Sequence, residues 1–470
     1  MAARFVTVDR DTDLLLPPNM RGWVPENHLS HFILEALEGF ATGSAKVNHR
    51  GSGDAQYPPA MMLALLIYSY SSGVFSSRGI EMSTYDSVAT RVLCGDTHPD
   101  HDTICTFRRE NGPLLERAFS HVLELAARVG VMKVGKVTVA IDGTKILANA
   151  SKHSAVSYEK AGEMMRELDL EIAELLKKAE EADSTPLEDG LTVPGEIARR
   201  EERKAKLRAA RAEMEARAAA RAAAERADYE AKKAGREARR ERGEKPRGQE
   251  PKEPAGQPGA KDQMNFTDPE SRIMPCGGKT RFEQAYNAQA GVEVESRLIV
   301  TKRVSQSPND KRELVADLRA MDPVIRSVET ILVDSGFVSE AAVAEVEAPR
   351  EDGRPVPRVI GALERKSHHR SVRDLEKKGE PPAPGDGATF TEKMAHRTAT
   401  KEGREKYKHR QQTIEPVFGI VKEAMGFRRF SLRGQAKAAL EWTLVCVAYN
   451  LRRLHRLQAA RGPKTTPAWA

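Results

Sequence analysis

Residues Val137–Ser151 read VTVAIDGTKILANAS, and this stretch decides the fold. Val137, Val139 and Ile141 fall on one parity and Thr138 and Ala140 on the other, the two-residue period of a β-strand. The apolar run then stops at Asp142, with Gly143 after it. A carboxylate fixed at the end of an apolar strand is costly to desolvate unless something positive meets it. The pattern therefore predicts a strand ending at Asp142, and the rest of the chain must supply what faces that acid.

Thr330–Glu340, TILVDSGFVSE, repeats the arrangement: an almost continuous apolar run, then Asp334, Ser335 and Gly336. Such a run suits a strand covered on both faces, with Asp334 emerging at its carboxyl end, where α/β domains build their sites. Two strand-end aspartates on one edge suit a shared divalent cation, and a metal is what would meet Asp142. Mg²⁺ is a hard ion held by few carboxylates together with water and substrate phosphates. A third acid is offered by Arg404–Phe430, REKYKHRQQTIEPVFGIVKEAMGFRRF, in which Tyr407 and Arg410 precede Glu415 and Lys422 follows it. Glu415 and Lys422 are seven residues apart, one side of a helix. Pro416 disfavours helical geometry at Glu415 and predicts a kink or restart there, aiming Glu415 at the metal edge.

With 470 residues, two or three units are expected, and 30% charged residues against 5% aromatic imply that part of the chain is not globular. A net charge of +7 and a pI near 9.1 suit a polyanionic partner. Cys94, Cys105, Cys276 and Cys446 are too widely spaced for a zinc knuckle or redox pair, which fits a reducing cytosol. His98, His101, His153, His368 and His369 likewise lack zinc spacing. The start, MAARFVTVDRDTDLLLPP, lacks signal-peptide features, and the apolar run from Met61 is too short to span a bilayer, so a soluble cytoplasmic protein is expected.

Residues 1–130 read as a helical domain, with Asp102 or Thr103 as the N-cap of a helix carrying Arg108 and Arg109, and Gly112 and Pro113 as a break after it. Residues 131–156 hold the first strand. Residues 157–262 are charged and end in a Pro- and Gly-rich linker; within them Arg199–Arg247 carries eighteen Lys and Arg against ten Asp and Glu, a net +8. Few large apolar residues recur there at a and d positions, so an exposed helical arm is expected rather than a tight coiled coil. In 263–460 strand patterns return, with Phe282, Tyr286, Ala288, Ala290 and Val292 on one parity, and 461–470 form a tail.

Taken in order, SSRGIEMSTYDSVATRVLCGDTHPDHDTICTFRREN, IDGTKILANAS, TDPESRIMP, YNAQA, VDSGF, YKHRQQTIEPVFGIVK and EWTLVCVAYNLRRL resemble the DDE transposases of bacterial insertion sequences. The likeness is greatest to the branch with a Tyr-Arg-Glu-Lys signature around its last acid, and it spans nearly the whole chain. It implies an α/β fold, an RNase H-like catalytic domain interrupted by a charged helical insertion and preceded by an all-α DNA-binding domain. By this resemblance Asp142, Asp334 and Glu415 are the catalytic acids and metal ligands. Tyr407, Arg410 and Lys422 complete the signature and hold DNA phosphates, although Arg410 stands one residue further from Glu415 than the commonest spacing. The implied cofactor is Mg²⁺, two ions, with Mn²⁺ as the alternative. The implied partner is double-stranded DNA, both the transposon's terminal inverted repeats and the target, bound by a homodimer or larger assembly at the nucleoid, with no membrane.

The implied reaction is metal-dependent strand cleavage followed by transfer of the freed 3′-hydroxyl. A catalytically inactive DNA-binding relic and a metal-dependent nuclease that does not join ends are the rivals. Residue by residue, a strand-end Asp also serves as a turn or cap, Lys422 and Arg410 as solvated helix charges, and Tyr407 as packing. Arg108 and Arg109 either read guanine edges in a major groove or project into water.

Overall fold

The computed structural model describes residues 19–47, 55–181, 192–243, 249–277, 281–349, 355–363, 379–385 and 387–461. His368, His369 and the tail beyond 461 lie outside these residues. Two compact units divide the chain, one comprising Met1–Leu147 with Tyr286–Ala470 and the other Ala148–Ala285.

The first unit opens with helices α1 (Leu29–Ala36), α2 (Pro59–Ser71), α3 (Ser77–Asp86), α4 (Val88–Cys94), α5 (His101–Glu110) and α6 (Gly112–Arg128). Pro59 sits at the first position of α2, where a missing N–H costs nothing, and Met62 to Ile67 are all buried. The N-cap of α5 is Asp100, not Asp102 or Thr103: its carboxylate accepts from the N–H groups of both those residues at 2.9 Å. The chain breaks at Asn111, between α5 and α6.

Strand β1 (Val137–Leu147) starts the sheet. In the second unit β2 (Ala155–Ser157), α7 (Tyr158–Glu181), α8 (Val193–Glu241), β3 (Gln263–Asn265) and β4 (Arg272–Pro275) follow. Strands β5 (Phe282–Glu293), β6 (Ile299–Ser305), β7 (Val328–Val333) and β8 (Arg358–Gly361) complete the sheet. Around them lie α9 (Glu313–Arg319), α10 (Glu340–Val346), α11 (Phe390–Ala399), α12 (Lys401–Gly419) and α13 (Gln435–Ala459).

The sheet order places β5, β1, β7 and β8 side by side, with β6 on the outer edge of β5. β1 and β7 are parallel, as are β7 and β8, whereas β6 runs antiparallel to β5. Val294 N–H donates to Thr138 O at 3.0 Å, the crossing expected where β5 runs antiparallel to β1. Strands β1, β6, β7 and β8 therefore all finish at one edge. The inner residues Val139, Ala140, Ile141, Ile331, Leu332 and Val333 are fully buried.

β1 does not stop at Asp142. It continues through Leu147 because a partner arrives from far along the chain: Leu147 N–H donates to Arg428 O at 3.1 Å and Phe430 N–H to Leu147 O at 2.8 Å. α12 likewise runs unbroken through Pro416, with no restart, and passes into a π-helical turn at Ile420–Ala424.

The second unit is more than a solvated arm. α7 and α8 pack along each other, and Val156, Ala161, Leu168, Leu207 and Ala210 form a small core with Met164, Met165 and Met264 against it. Tyr158 lies under the Arg211 guanidinium at 4.1 Å and donates to Glu215. The sparse apolar residues suffice because Ala at the contact lets the two helices approach closely.

Arg108, a candidate for reading bases, is 3% exposed and belongs to the core. It donates to Tyr70 Oη at 2.8 Å and Phe75 O at 2.7 Å, and Tyr70 Oη donates to the fully buried Glu441 at 2.8 Å. The apolar spacing around it marks the inner face of α5, and a cation on that face must find a partner inside. Arg109, the next residue, is exposed. Arg108→Met is expected to cost about 3–5 kcal/mol, because it leaves Glu441 buried without its cation. Urea unfolding measures this, while Arg109→Ala should leave the midpoint unchanged.

Candidate active site

β1 and β7 meet with Ala140 opposite Leu332. Two residues beyond that pair stand Asp142, within β1, and Asp334, just after the end of β7, near enough that Asp334 acts on the Asp142 carboxyl as a like charge. Asp142 Oδ1 accepts from the N–H of Gly143 at 2.8 Å, and Asp334 Oδ1 from the N–H of Ser335 at 2.5 Å. Each acid is thus fixed by the residue after it.

α12 packs across β1, β7 and β8. From it Arg410, itself buried, places Nη1 3.5 Å from Asp142 Oδ2. Arg410 is the positive group that meets Asp142 here, and its Nε is buried without a partner. Tyr407, one turn earlier, lies 5.8 Å beneath the Arg410 guanidinium. Burial raises the Tyr407 phenol, Arg410 opposes that rise, and Asp334 adds to it. Lys422, in the π-helical turn, donates to Lys145 O at 3.0 Å and so ties the end of α12 to β1.

Burial pushes the Asp142 carboxyl up to about 6, with Gly143 N–H and Arg410 pulling it down and Asp310 and Asp334 pushing it further up. Desolvation is thus the largest influence on Asp142, and Gly143 and Arg410 answer it only in part. Asp142 on β1 and Asp334 just past the end of β7 offer hard oxygen donors, which suits Mg²⁺, an ion that needs only one or two carboxylates when water and phosphate complete its shell.

Glu415 is not gathered with them. Among the described residues no group of three His, Cys, Asp or Glu side chains is arranged to hold a metal, and Glu415 is exposed. The reason lies in the spacing: five residues of helix turn Glu415 about 140° away from Arg410, so when Arg410 faces Asp142, Glu415 faces elsewhere. The π-helical turn also breaks the seven-residue phase between Glu415 and Lys422.

Sequence reasoning missed Asp310, Asn287 and Gln289, which lie against Gly143 beside Asp142. The available signal was two amides, Asn287 and Gln289, alternating with Tyr286, Ala288 and Ala290 in YNAQA, so that one face of a buried strand is polar.

Residues 387–455, which include α11, α12 and most of α13, match the family model described as Transposase DDE domain. Residues 18–110, spanning α1 to α5, match the one described as Transposase domain (DUF772). Both models describe transposase domains, one at each end of the chain, and neither spans half of it. No curated protein and no solved structure matches the chain. Among the described residues no helix is long and apolar enough to cross a membrane.

Because the folded Asp142 carboxyl lies above its ordinary value of 3.8, the native state holds that proton longer than the unfolded chain. The group therefore favours the fold less as pH rises from about 4 to about 6. Asp142→Asn should flatten the pH dependence of stability in that window when metal is chelated. The ¹³C carboxyl resonance of Asp142 should titrate near 6, higher still in Arg410→Met, and lower on adding Mg²⁺.

Proposed function

We propose that this transposase-like chain cleaves DNA strands at transposon ends and transfers the freed 3′-hydroxyl to target DNA, using Mg²⁺ or Mn²⁺ at Asp142, Asp334 and Glu415. The observation that supports this reading is the parallel pairing of β1 with β7, the strands that lead to Asp142 and Asp334, under α12, which belongs to the residues matching the DDE domain. Two divalent ions at these acids supply activation of the attacking oxygen and stabilisation of the departing one. The protein's own part is positional. Asp142 and Asp334 hold their carboxylates rigidly through the following N–H groups, and Arg410 holds Asp142 ionised until cations arrive.

Pro416 removes one helical hydrogen bond and the π turn interrupts the ladder beyond it, so Glu415 sits between two weak points of α12. Rotation there brings it to the edge when DNA is bound. Lys422 and Tyr407 contact phosphate near the cut, and such contacts position the strand without reading its sequence. The helical block within 1–130 recognises the ends, with Arg109 as the exposed candidate, the α7–α8 hairpin adds phosphate contacts, and a dimer or larger assembly brings two ends together.

A DNA-binding relic is favoured by one contact, Arg410 lying against Asp142 where a cation would go. Strand transfer of a labelled 3′-hydroxyl end separates it, and the non-joining nuclease, from a transposase.

Asp142→Asn, Asp334→Asn and Glu415→Gln should each abolish Mg²⁺-dependent nicking of a terminal-repeat duplex while leaving binding intact. Undiminished nicking by one variant removes that residue from the site. Deleting 196–259 should weaken DNA binding and flatten its dependence on salt: the slope of log affinity against log salt falls by about 0.9 for each phosphate that the hairpin had neutralised. An unchanged slope in a binding titration means that the hairpin does not touch phosphate.

A further inference from the structure

Behind β1, on the face opposite Asp142, the side chains of Asn287 and Gln289 project from β5 and are buried. Both donate to one oxygen of Asp310: Asn287 Nδ2 and Gln289 Nε2 each lie 2.7 Å from Asp310 Oδ1. Asn287 Nδ2 also reaches Ser307 O at 3.2 Å, and Lys145 Nζ stands 3.9 Å from the same Asp310 oxygen. The other oxygen, Oδ2, has no hydrogen bond among the described residues, and the Asp310 side chain is 23% exposed. The carboxylate is thus held by one oxygen and presents the other.

The clamp exists because residue 143 is glycine. A Cβ there would fall 2.5 Å from Gln289 Nε2 and 2.7 Å from both Asn287 Oδ1 and Asp310 Oδ1. Asp310 therefore approaches the β1 backbone one residue from Asp142. It follows β6, one of the strands that finish at the same edge as β1 and β7. Two buried amides spent on orienting one carboxylate at that edge are more than a loop anchor requires, since Asn287 Oδ1 and Gln289 Oε1 are left buried and unpartnered.

We propose that Asp310 is a positioning residue of the cation-binding edge, an auxiliary carboxylate whose fixed negative charge behind Gly143 tightens the hold of Asp142 and Asp334 on a divalent cation. This rests on the cation reading of Asp142 given above. Asp310 acts through its field, with Lys145 as the opposing charge beside it and Asp142 and Asp317 as the like charges that feel it. It is distinct from the three acids of the signature, and it explains why a carboxylate is kept next to others that repel it.

Mn²⁺ binding to the full chain without DNA, read from the free-Mn²⁺ signal in electron paramagnetic resonance, tests this. Asp310→Asn keeps an oxygen acceptor for both amides, so the clamp and the melting temperature should survive. Its Mn²⁺ affinity should fall about three- to tenfold, the scale of one unit charge acting on a divalent ion through a high effective dielectric. Asp310→Glu, which restores the charge, should recover most of that loss. Affinity reduced in Asp142→Asn but unchanged in Asp310→Asn overturns the proposal alone. Affinity unchanged in both overturns it together with the cation reading. If Asp310→Asn instead weakens metal-free DNA binding at unchanged Mn²⁺ affinity, the clamp serves Lys145 and the proposal falls.

Discussion

Glu441 is the residue through which the first unit is tied together. It is wholly buried on α13, where it accepts from Tyr70 Oη on α2 and from the N–H groups of Ser431 and Leu432 at 2.8 and 3.0 Å. Arg108 on α5 balances its charge through Tyr70. The backbone that Glu441 grips continues directly from Arg428–Phe430, which pairs with Leu147 at the end of β1. One buried carboxylate thereby connects the amino-terminal helices, the closing helix and the strand that bears Asp142. Such a group is expensive to bury, and its cost is offset only while every partner is in place, which makes the arrangement specific as well as stable.

The same constraint acts differently at the sheet edge. Glu441 is surrounded by donors, whereas Asp142 has one backbone N–H and a guanidinium at 3.5 Å, with Asp310 and Asp334 opposing its ionisation. A carboxylate desolvated at the ends of parallel strands and only partly answered costs the fold stability and suits the binding of a cation. Elsewhere in the unit Asp317 is met by Arg303 at 2.9 Å, which also pairs with Glu313, yet burial still pushes its carboxyl up to about 7 and its Oδ2 is buried without a partner.

The second unit follows another logic. Its long helices carry little apolar surface, yet Ala210 and Leu207 of α8 against Ala161 and Leu168 of α7 give the hairpin a core of its own. Charge is left for the exposed faces, much of it in pairs four residues apart such as Arg217 with Glu213. Pairs of this kind contribute little stability in water and leave the basic excess available to a polyanion.

Local pattern was enough to determine the strand character of Val137–Ile141 and Thr330–Val333, the acid following β7, and the helical character of the amino-terminal block and of the charged segment, because periodicity and composition are properties of neighbouring residues; that the charged helices pack into a hairpin with its own core was not legible there. The order of motifs was enough to point to a DDE transposase. Tertiary structure alone decided the rest. β1 runs past Asp142 because Arg428–Phe430 returns to pair with it, a pairing between residues some 280 positions apart that no local period records. Arg108 is inside and Arg109 outside because α5 is docked on one particular face. Arg410 meets Asp142 while Glu415 turns away because a helix fixes the angle between them but not which side lies on the sheet. Asp310 joins the edge because β6 runs in the same direction as β1, and that direction is set by how strands pair, not by the sequence of any one of them.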